Sequence, residues 1–409
     1  MGIEIRNVAP EQYQAAIEVI STAFLERPDT RAVAESLRES WDPARLWVAW
    51  DGDRACGTFR SWPTQLTVPG GAPLPAAAVS AVTVLPSHRR RGILTGMAAK
   101  EHAALVERGE AVGLLYASEY QIYGRFGYAP ASHITDWHIR ARATRMRGEP
   151  AGSVDLVPPD AAVKEVLKGV FEAWRPRRAG EISRREVAWD SNLGLREEPW
   201  GDRWKGWVVL HRDDAGAVDG YARYKADPKW DHHEPAGEVA VQELIALTPD
   251  AYAGLIRFFL ELDLVARVKL EARPEREPVR WHLTNGRAAT PTDTIDGIWL
   301  RLFDVPRALE ARRYEREGAL VLEVVDDAAW GGTRRLLLDA GPDGATCRPT
   351  DRAADLTLPV AALGGAYLGG TRLRDLALAL GADEHRSGTL AEADALLRTD
   401  AEPHCSTFF

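Results

Sequence analysis

The chain has 409 residues, 45% of them apolar, and a formal net charge of -9; it can build two or three packed domains, and its charge argues against nucleic acid or an anionic membrane as a partner. Its three cysteines, Cys56, Cys347 and Cys405, are odd in number and far apart, which excludes a disulfide framework and points to a reducing compartment. There is no apolar run long enough to span a bilayer, and the start MGIEIRNVAP carries no signal-peptide pattern, so a cytoplasmic protein is expected.

In chain order, Ile3, Ile5 and Val8 alternate with polar residues and predict a strand. Pro10 opens a helix with Tyr13, Ile17, Ile20 and Phe24 at helical spacing, and a second helix fits Thr30 to Ser40. Leu46–Trp50, Ala55–Trp62, Gln65–Val68 and Ala76–Val84 predict an antiparallel meander, its first turn signalled by Asp51-Gly52. The last strand ends at Pro86 and passes to His88-Arg89-Arg90-Arg91-Gly92 and then a helix, Ile93 to Val106. A glycine-containing arginine turn at a helix start offers free N–H groups, cationic side chains and the positive end of the helix dipole. A pyrophosphate suits such a site. No Gly-Lys of a Walker loop is present.

Val112–Ser118 predicts a buried strand, parallel to Val82–Val84 through a right-handed crossover. The segment EYQIYGRFGYAPAS follows, and Ile134–Ile139 closes a first unit. Residues 141–153 read as a linker. The same rhythm then repeats: Val154–Val157, helix Ala161–Ala173, a hairpin of Gly206–His211 and Val218–Tyr224, strand Val239–Leu244, helix Tyr252–Leu262 and strand Val268–Ala272. Leu247-Thr248-Pro249-Asp250 stands where the arginine turn would be. A third unit opens with the strand Ile295–Phe303 and the helix Arg307–Arg313, and continues with strands Leu320–Val325, Arg334–Leu338 and Leu356–Leu358 and helices Pro359–Tyr367 and Leu373–Leu380.

The turn Arg89 to Leu94 resembles the acetyl-CoA motif of GCN5-related N-acetyltransferases (GNAT), Arg/Gln-x-x-Gly-x-Gly/Ala, with Leu94 in the last position. The stretches SAVTVLPSHRRRGIL, ASEYQIYGRFGYAPAS and GIWLRLFDVPRALEAR and the Phe-Phe end resemble the enhanced-intracellular-survival (Eis) acetyltransferases along the whole chain. The resemblance implies a mixed α/β protein: a catalytic GNAT unit over 1–145, a degenerate GNAT unit without cofactor over 146–292, and a sterol-carrier-like domain over 293–409. It also implies a homohexamer that moves acetyl from acetyl-CoA to amines of aminoglycosides or related polyamines, without a metal.

For the residues, it implies Tyr123 as general acid and the carboxylate of Phe409 as general base; read alone, Tyr123 is better explained as a core residue, and fraying is the usual fate of a terminus, although the two closing aromatics argue for burial. Val82, Thr83 and Val84 would meet the pantetheine, Arg89, Arg90, Arg91, Gly92 and Ile93 the pyrophosphate, and Ser118 another part of CoA. Ser80 and Ala81 would line the amine pocket, with Phe24, Glu26 and Trp41 offering aromatic and acidic contacts to a cation. His232-His233-Glu234 could ligate a metal but reads better as a solvated loop. Cys405 and His404 lie near the proposed active end without a pairing to support catalysis. Two rival functions are a GNAT acting on protein lysine or a small metabolic amine, and a lipid carrier or scaffold without catalysis.

Overall fold

The computed structural model describes residues 2–198, 200–328 and 332–409. A seven-stranded sheet orders Ile3–Asn7, Leu46–Asp51, Arg54–Thr67, Pro73–Val84, Val112–Leu115, Trp299–Leu302 and Ala129–Pro130. Helix Tyr13–Ala23 buries Tyr13, Ile17 and Ile20 on one of its faces together with Met97 and Ala98 of helix Ile93–Glu107. The other face is covered by the third unit: Leu66, Leu74 and Leu114 share one core with Leu320, Leu322, Leu336 and Leu363. The meander is tighter than predicted, since Ala55–Trp62 and Gln65–Val68 fall in one strand, Arg54–Thr67. Pro63 does not break it because its neighbours on Pro73–Val84 keep the ladder going.

The second sheet also has seven strands, in the order Ala289–Asp296, His133–Arg140, Val265–Arg273, Gly237–Ala246, Val218–Asp227, Trp207–Arg212 and Ser153–Val157. Helix Ala161–Trp174, capped by Asp160 accepting from the Val163 N–H, packs Leu167 and Phe171 against Val208 and Tyr221. Helix Pro249–Glu261, capped by Thr248, packs Leu255, Ile256 and Phe259 against Val241 and Val268. The third unit is a five-stranded sheet that includes Gly344–Pro349, a strand the sequence does not announce, together with helices Val360–Ala366, Leu373–Leu380 and Thr389–Leu397.

The spatial units do not follow the chain. Ile134–Ile139, expected to close the first unit, lies in the second sheet between Ala289–Asp296 and Val265–Arg273. The run IDGIWLRLF, expected as one strand of the third unit, breaks at Gly297; its second half, Trp299–Leu302, enters the first sheet. The two crossings run side by side. The Gly297 N–H donates to the Ser132 carbonyl at 2.8 Å, the Ala131 N–H to the Ile298 carbonyl at 2.8 Å, and the Ile298 N–H to Ser132 Oγ at 3.0 Å. Residues 129–140 and 289–302 thus form one antiparallel ribbon that belongs to both sheets. Glycine is needed at 297 because a Cβ there would meet Ser132 Oγ at 2.6 Å.

Candidate active site

Pro73–Val84 and Val112–Leu115 pair in parallel only over Ala76–Ala78 and Val112–Leu114. Beyond that point they part. Within the first strand Ser80 pairs with Arg60 and Thr83 with Thr58, so Ala81 and Val82 stand against Phe59 alone. This is a β-bulge, with Ala81 at φ 49° and its carbonyl accepting from Thr58 Oγ1 at 2.7 Å. The bulge re-aims the strand, and five consecutive residues, Ser80 to Val84, line the opening.

The opening is a cleft of about 740 Å³. One end is the arginine turn. Helix Ile93–Glu107 makes its first internal bond from the Gly96 N–H to the Gly92 carbonyl, so the amides of Ile93, Leu94 and Thr95 precede the ladder at the cleft wall. Gly92 sits at φ 74° and a Cβ on it would meet nothing within 4 Å. The turn is therefore an open cradle of amides flanked by Arg89 and Arg90, which fits a pyrophosphate. Arg91 is turned away: it pairs with Asp51 at 3.1 Å and does not line the cleft.

At the other end, Tyr123 lines the cleft, 8% exposed, against the rings of Tyr128 and Trp299. Burial, helped by Glu119, pushes its phenol up to about 12. Ser118 lines the wall beside it, and Ile134, Ile295 and Asp296 of the ribbon close the cleft. Phe24 is present in the lining; Glu26 and Trp41 are not. Glu26 follows the end of helix Tyr13–Ala23 and is exposed, whereas Trp41 is buried in the core, stacked under the Arg60 guanidinium at 4.5 Å.

Phe408 and Phe409 reach the same cleft. The Tyr116 ring holds both, at 4.5 and 5.1 Å between centroids, and Trp62 meets Phe409 edge-on at 5.4 Å. A charged clamp fixes the preceding residues. Fully buried Glu181 accepts from the Ser406 N–H and Oγ, both at 2.7 Å, and from Thr407 Oγ1 at 2.8 Å. Arg184, packed between the Phe171 and Trp189 rings, reaches Thr407 Oγ1 and forms a bidentate pair with Glu243, which Arg223 also meets. Sequence reasoning misses the clamp, because Glu181, Arg184, Arg223 and Glu243 carry no motif. A frayed tail is excluded by these bonds at Ser406 and Thr407, and at His404 by its N–H donating to the Ala179 carbonyl at 2.8 Å.

Burial works against the Glu243 charge, but the Arg184 and Arg223 guanidiniums overcome it and hold the carboxyl down at about 2, against an ordinary 4.5. A depressed carboxyl stabilises the fold fully above its unfolded value and loses that contribution as pH falls toward the folded one. Between pH 4.5 and 2 the protein is therefore expected to lose stability more steeply than Glu243→Gln, measured by urea unfolding across that range; parallel curves would refute it. Burial and Glu181 push the Cys405 thiol far up, so it stays protonated and unreactive. His232 and His233 sit exposed at the turn between Trp230–Asp231 and Glu234–Pro235, away from the cleft. No helix among the described residues is long and apolar enough to cross a membrane.

Such a cleft can hold an extended ligand with its phosphates on the turn and its reactive end between a neutral phenol and an aromatic-anchored tail. Two acetyltransferase (GNAT) domain models match residues 4–131 and 180–302, and a sterol carrier protein domain model matches 305–406. An uncharacterized N-acetyltransferase of Streptomyces griseus is 38% identical, with 100% of both chains covered. The N-acetyltransferase Eis of Mycobacterium tuberculosis is 37% identical over 86% of this chain and 81% of its own. The crystal structure of Eis1 from Mycobacterium abscessus superposes with a TM-score of 0.85 at 32% identity, covering 100% of each chain. With a parted pair of strands, an amide cradle and whole-chain similarity to these proteins, the chain belongs to the Eis family of GNAT N-acetyltransferases.

Proposed function

We propose that the chain acetylates primary amines of aminoglycosides or related polyamines, with Tyr123 as general acid and the carboxylate of Phe409 as general base. The observation that carries this is that one cleft is lined by the arginine turn, the parted strands, Tyr123 and Phe409. Arg89, Arg90 and the amides of Ile93 to Thr95 would hold the pyrophosphate, and the unpaired edges beyond Ala78 and Leu114 the pantetheine. Bound acetyl-CoA supplies an activated acetyl. As the N–C bond forms and the C–S bond breaks, Tyr123 gives its proton to sulfur and Phe409 takes one from the amine nitrogen. An α-carboxyl is a weak base in water, so its part is to orient the ammonium and accept its proton as the N–C bond forms. A homohexamer in the cytoplasm accompanies this reading, by family likeness.

A second reading has its own support. Arg60 is 7% exposed between the Trp41 and Trp62 rings, and Arg185 lies over Trp62 at 4.4 Å. Neither pairs with a carboxylate among the described residues. Burial, then Arg185, push Arg60 down to about 9. Two guanidiniums without a carboxylate partner, both on the Trp62 ring that Phe409 meets edge-on, favour an acceptor with less positive charge, a small metabolic amine.

Adding three residues after Phe409 tests the proposal. Turnover is expected to fall by about 100-fold or more, the usual worth of a lost acid or base, with acetyl-CoA binding by calorimetry unchanged. Undiminished turnover removes the carboxylate from the mechanism. Failure of the native chain to bind acetyl-CoA supports a carrier instead. Comparing kcat/KM for kanamycin and for a monoamine decides between the two acceptors.

A further inference from the structure

The second unit repeats the parted strands of the first. Gly237–Ala246 pairs in parallel with Val265–Arg273 over Gly237–Val241, and the strands then part. Gln242 is left unpaired between Glu243 and Val241, a bulge like that at Ala81 and Val82. At the parting lies a second cavity, of about 280 Å³, bounded by Ala246, by Thr248 and Tyr252 at the start of helix Pro249–Glu261, and by Arg273. It stands where the acyl-CoA cleft stands in the first unit. The C-terminal tail crosses it: His404 lines this cavity, and four residues later Phe408 enters the catalytic cleft.

Its polar groups are unevenly matched. Arg273 pairs with Glu277 at 3.1 Å, and Tyr252 also donates to Glu277. Arg276 gives its N–H to Glu402 at 2.8 Å. Asp400 is exposed at the rim. Arg178 has no carboxylate partner among the described residues; its Nη1 reaches only the Glu402 carbonyl at 3.5 Å, and its buried Nε has none. His404 is 1% exposed, and neither ring nitrogen has a hydrogen-bond partner among the described residues. Buried polar groups are ordinarily paired, and each one left unpaired opposes folding. Burial together with Arg273 and Arg178 pushes His404 far down, so its imidazole is neutral with one N–H to give.

We propose that this cavity is a binding site for a small oxyanion, a phosphate or a carboxylate, held by Arg178 and His404. Guanidinium and imidazole N–H groups match the oxygens of such a group. The cavity suits phosphate or a short dicarboxylate and is far smaller than the catalytic cleft.

The test uses the full chain, titrated with inorganic phosphate and separately with malonate, against chloride at matched ionic strength. The melting temperature is expected to rise saturably, and the His404 imidazole signals, assigned by H404Q, to shift with the same midpoint. Arg178→Met is expected to weaken binding at least tenfold. Saturation by phosphate alone or by malonate alone supports the site and identifies the group; saturation by both supports it as a general oxyanion site. If both anions act only as chloride does, or if affinity is unchanged in Arg178→Met and His404→Gln, the site is overturned. Should Arg178→Met not fold, the His404 signals of the native chain decide alone. None of these readouts depends on acetyl transfer.

Discussion

Tyr123→Phe is expected to lower kcat by about 10²–10⁴-fold, the ordinary contribution of a positioned proton donor, while leaving acetyl-CoA binding and the melting temperature nearly unchanged. The substitution removes one oxygen and keeps the ring that packs against Tyr128 and Trp299. With its phenol held at about 12, Tyr123 is protonated throughout neutral and mildly alkaline pH. Against a free thiol near 8.5 a full transfer from Tyr123 would run uphill by about 5 kcal/mol, at 1.36 kcal/mol for each pKa unit. The same desolvation raises the proton affinity of a thiolate formed beside it, so the transfer becomes feasible only as the C–S bond breaks. The alkaline limb of the native rate profile should consequently not report Tyr123 below about pH 10, since the group titrates near 12. Single-turnover and steady-state rates with one acceptor, measured across pH, check both points. A Tyr123→Phe enzyme of near-native kcat would make the residue a core tyrosine and nothing more.

Arg184→Met should have the largest effect on the fold. The Arg184 side chain is 0% exposed and Glu243 1%, and the pair closes at 2.6 Å. Removing the guanidinium leaves Arg223 as the one cation paired with Glu243 among the described residues and deprives Thr407 of a donor. Breaking a buried pair from one side costs about 3–5 kcal/mol. Turnover should drop as well, in conditions where the variant is still folded, because the tail that carries Phe409 loses part of its anchor. Arg184→Lys separates the two effects: it keeps a positive charge near Glu243 but not the bidentate geometry. Thermal unfolding and carboxypeptidase release of the last residues measure them. A variant with native melting temperature and a protease-resistant tail would show that Arg184 fixes neither.

The features legible in the sequence are local ones. A β-branched run, a proline stop, a glycine and an amphipathic helix are contiguous, and Val79 to Val106 folds as they predict. The three-unit order was readable for the same reason. Which of three adjacent arginines leans away was not, because Arg91 is decided by Asp51, forty positions earlier. Glu26 and Trp41 are of the types that suit a cation, but the packing of Tyr13 and Arg60 around Trp41 outweighs type. The tail clamp joins Glu181, Arg184 and Glu243 to residues 406 and 407, and no pattern of spacing links carboxylates to hydroxyls over such distances. Strand pairing across the ribbon was equally hidden. Ile134–Ile139 and Trp299–Leu302 each look like a strand, but alternation does not say which sheet a strand joins.

The ribbon that runs through both sheets means the catalytic half has no separable existence. A protein ending near residue 145 would lack Trp299–Leu302, baring the buried edge of Val112–Leu115 beside the cleft, and a bare apolar edge invites aggregation. Each sheet is completed by a strand from the other's stretch of chain. Neither can be cut out as a free-standing piece without baring an edge of the other.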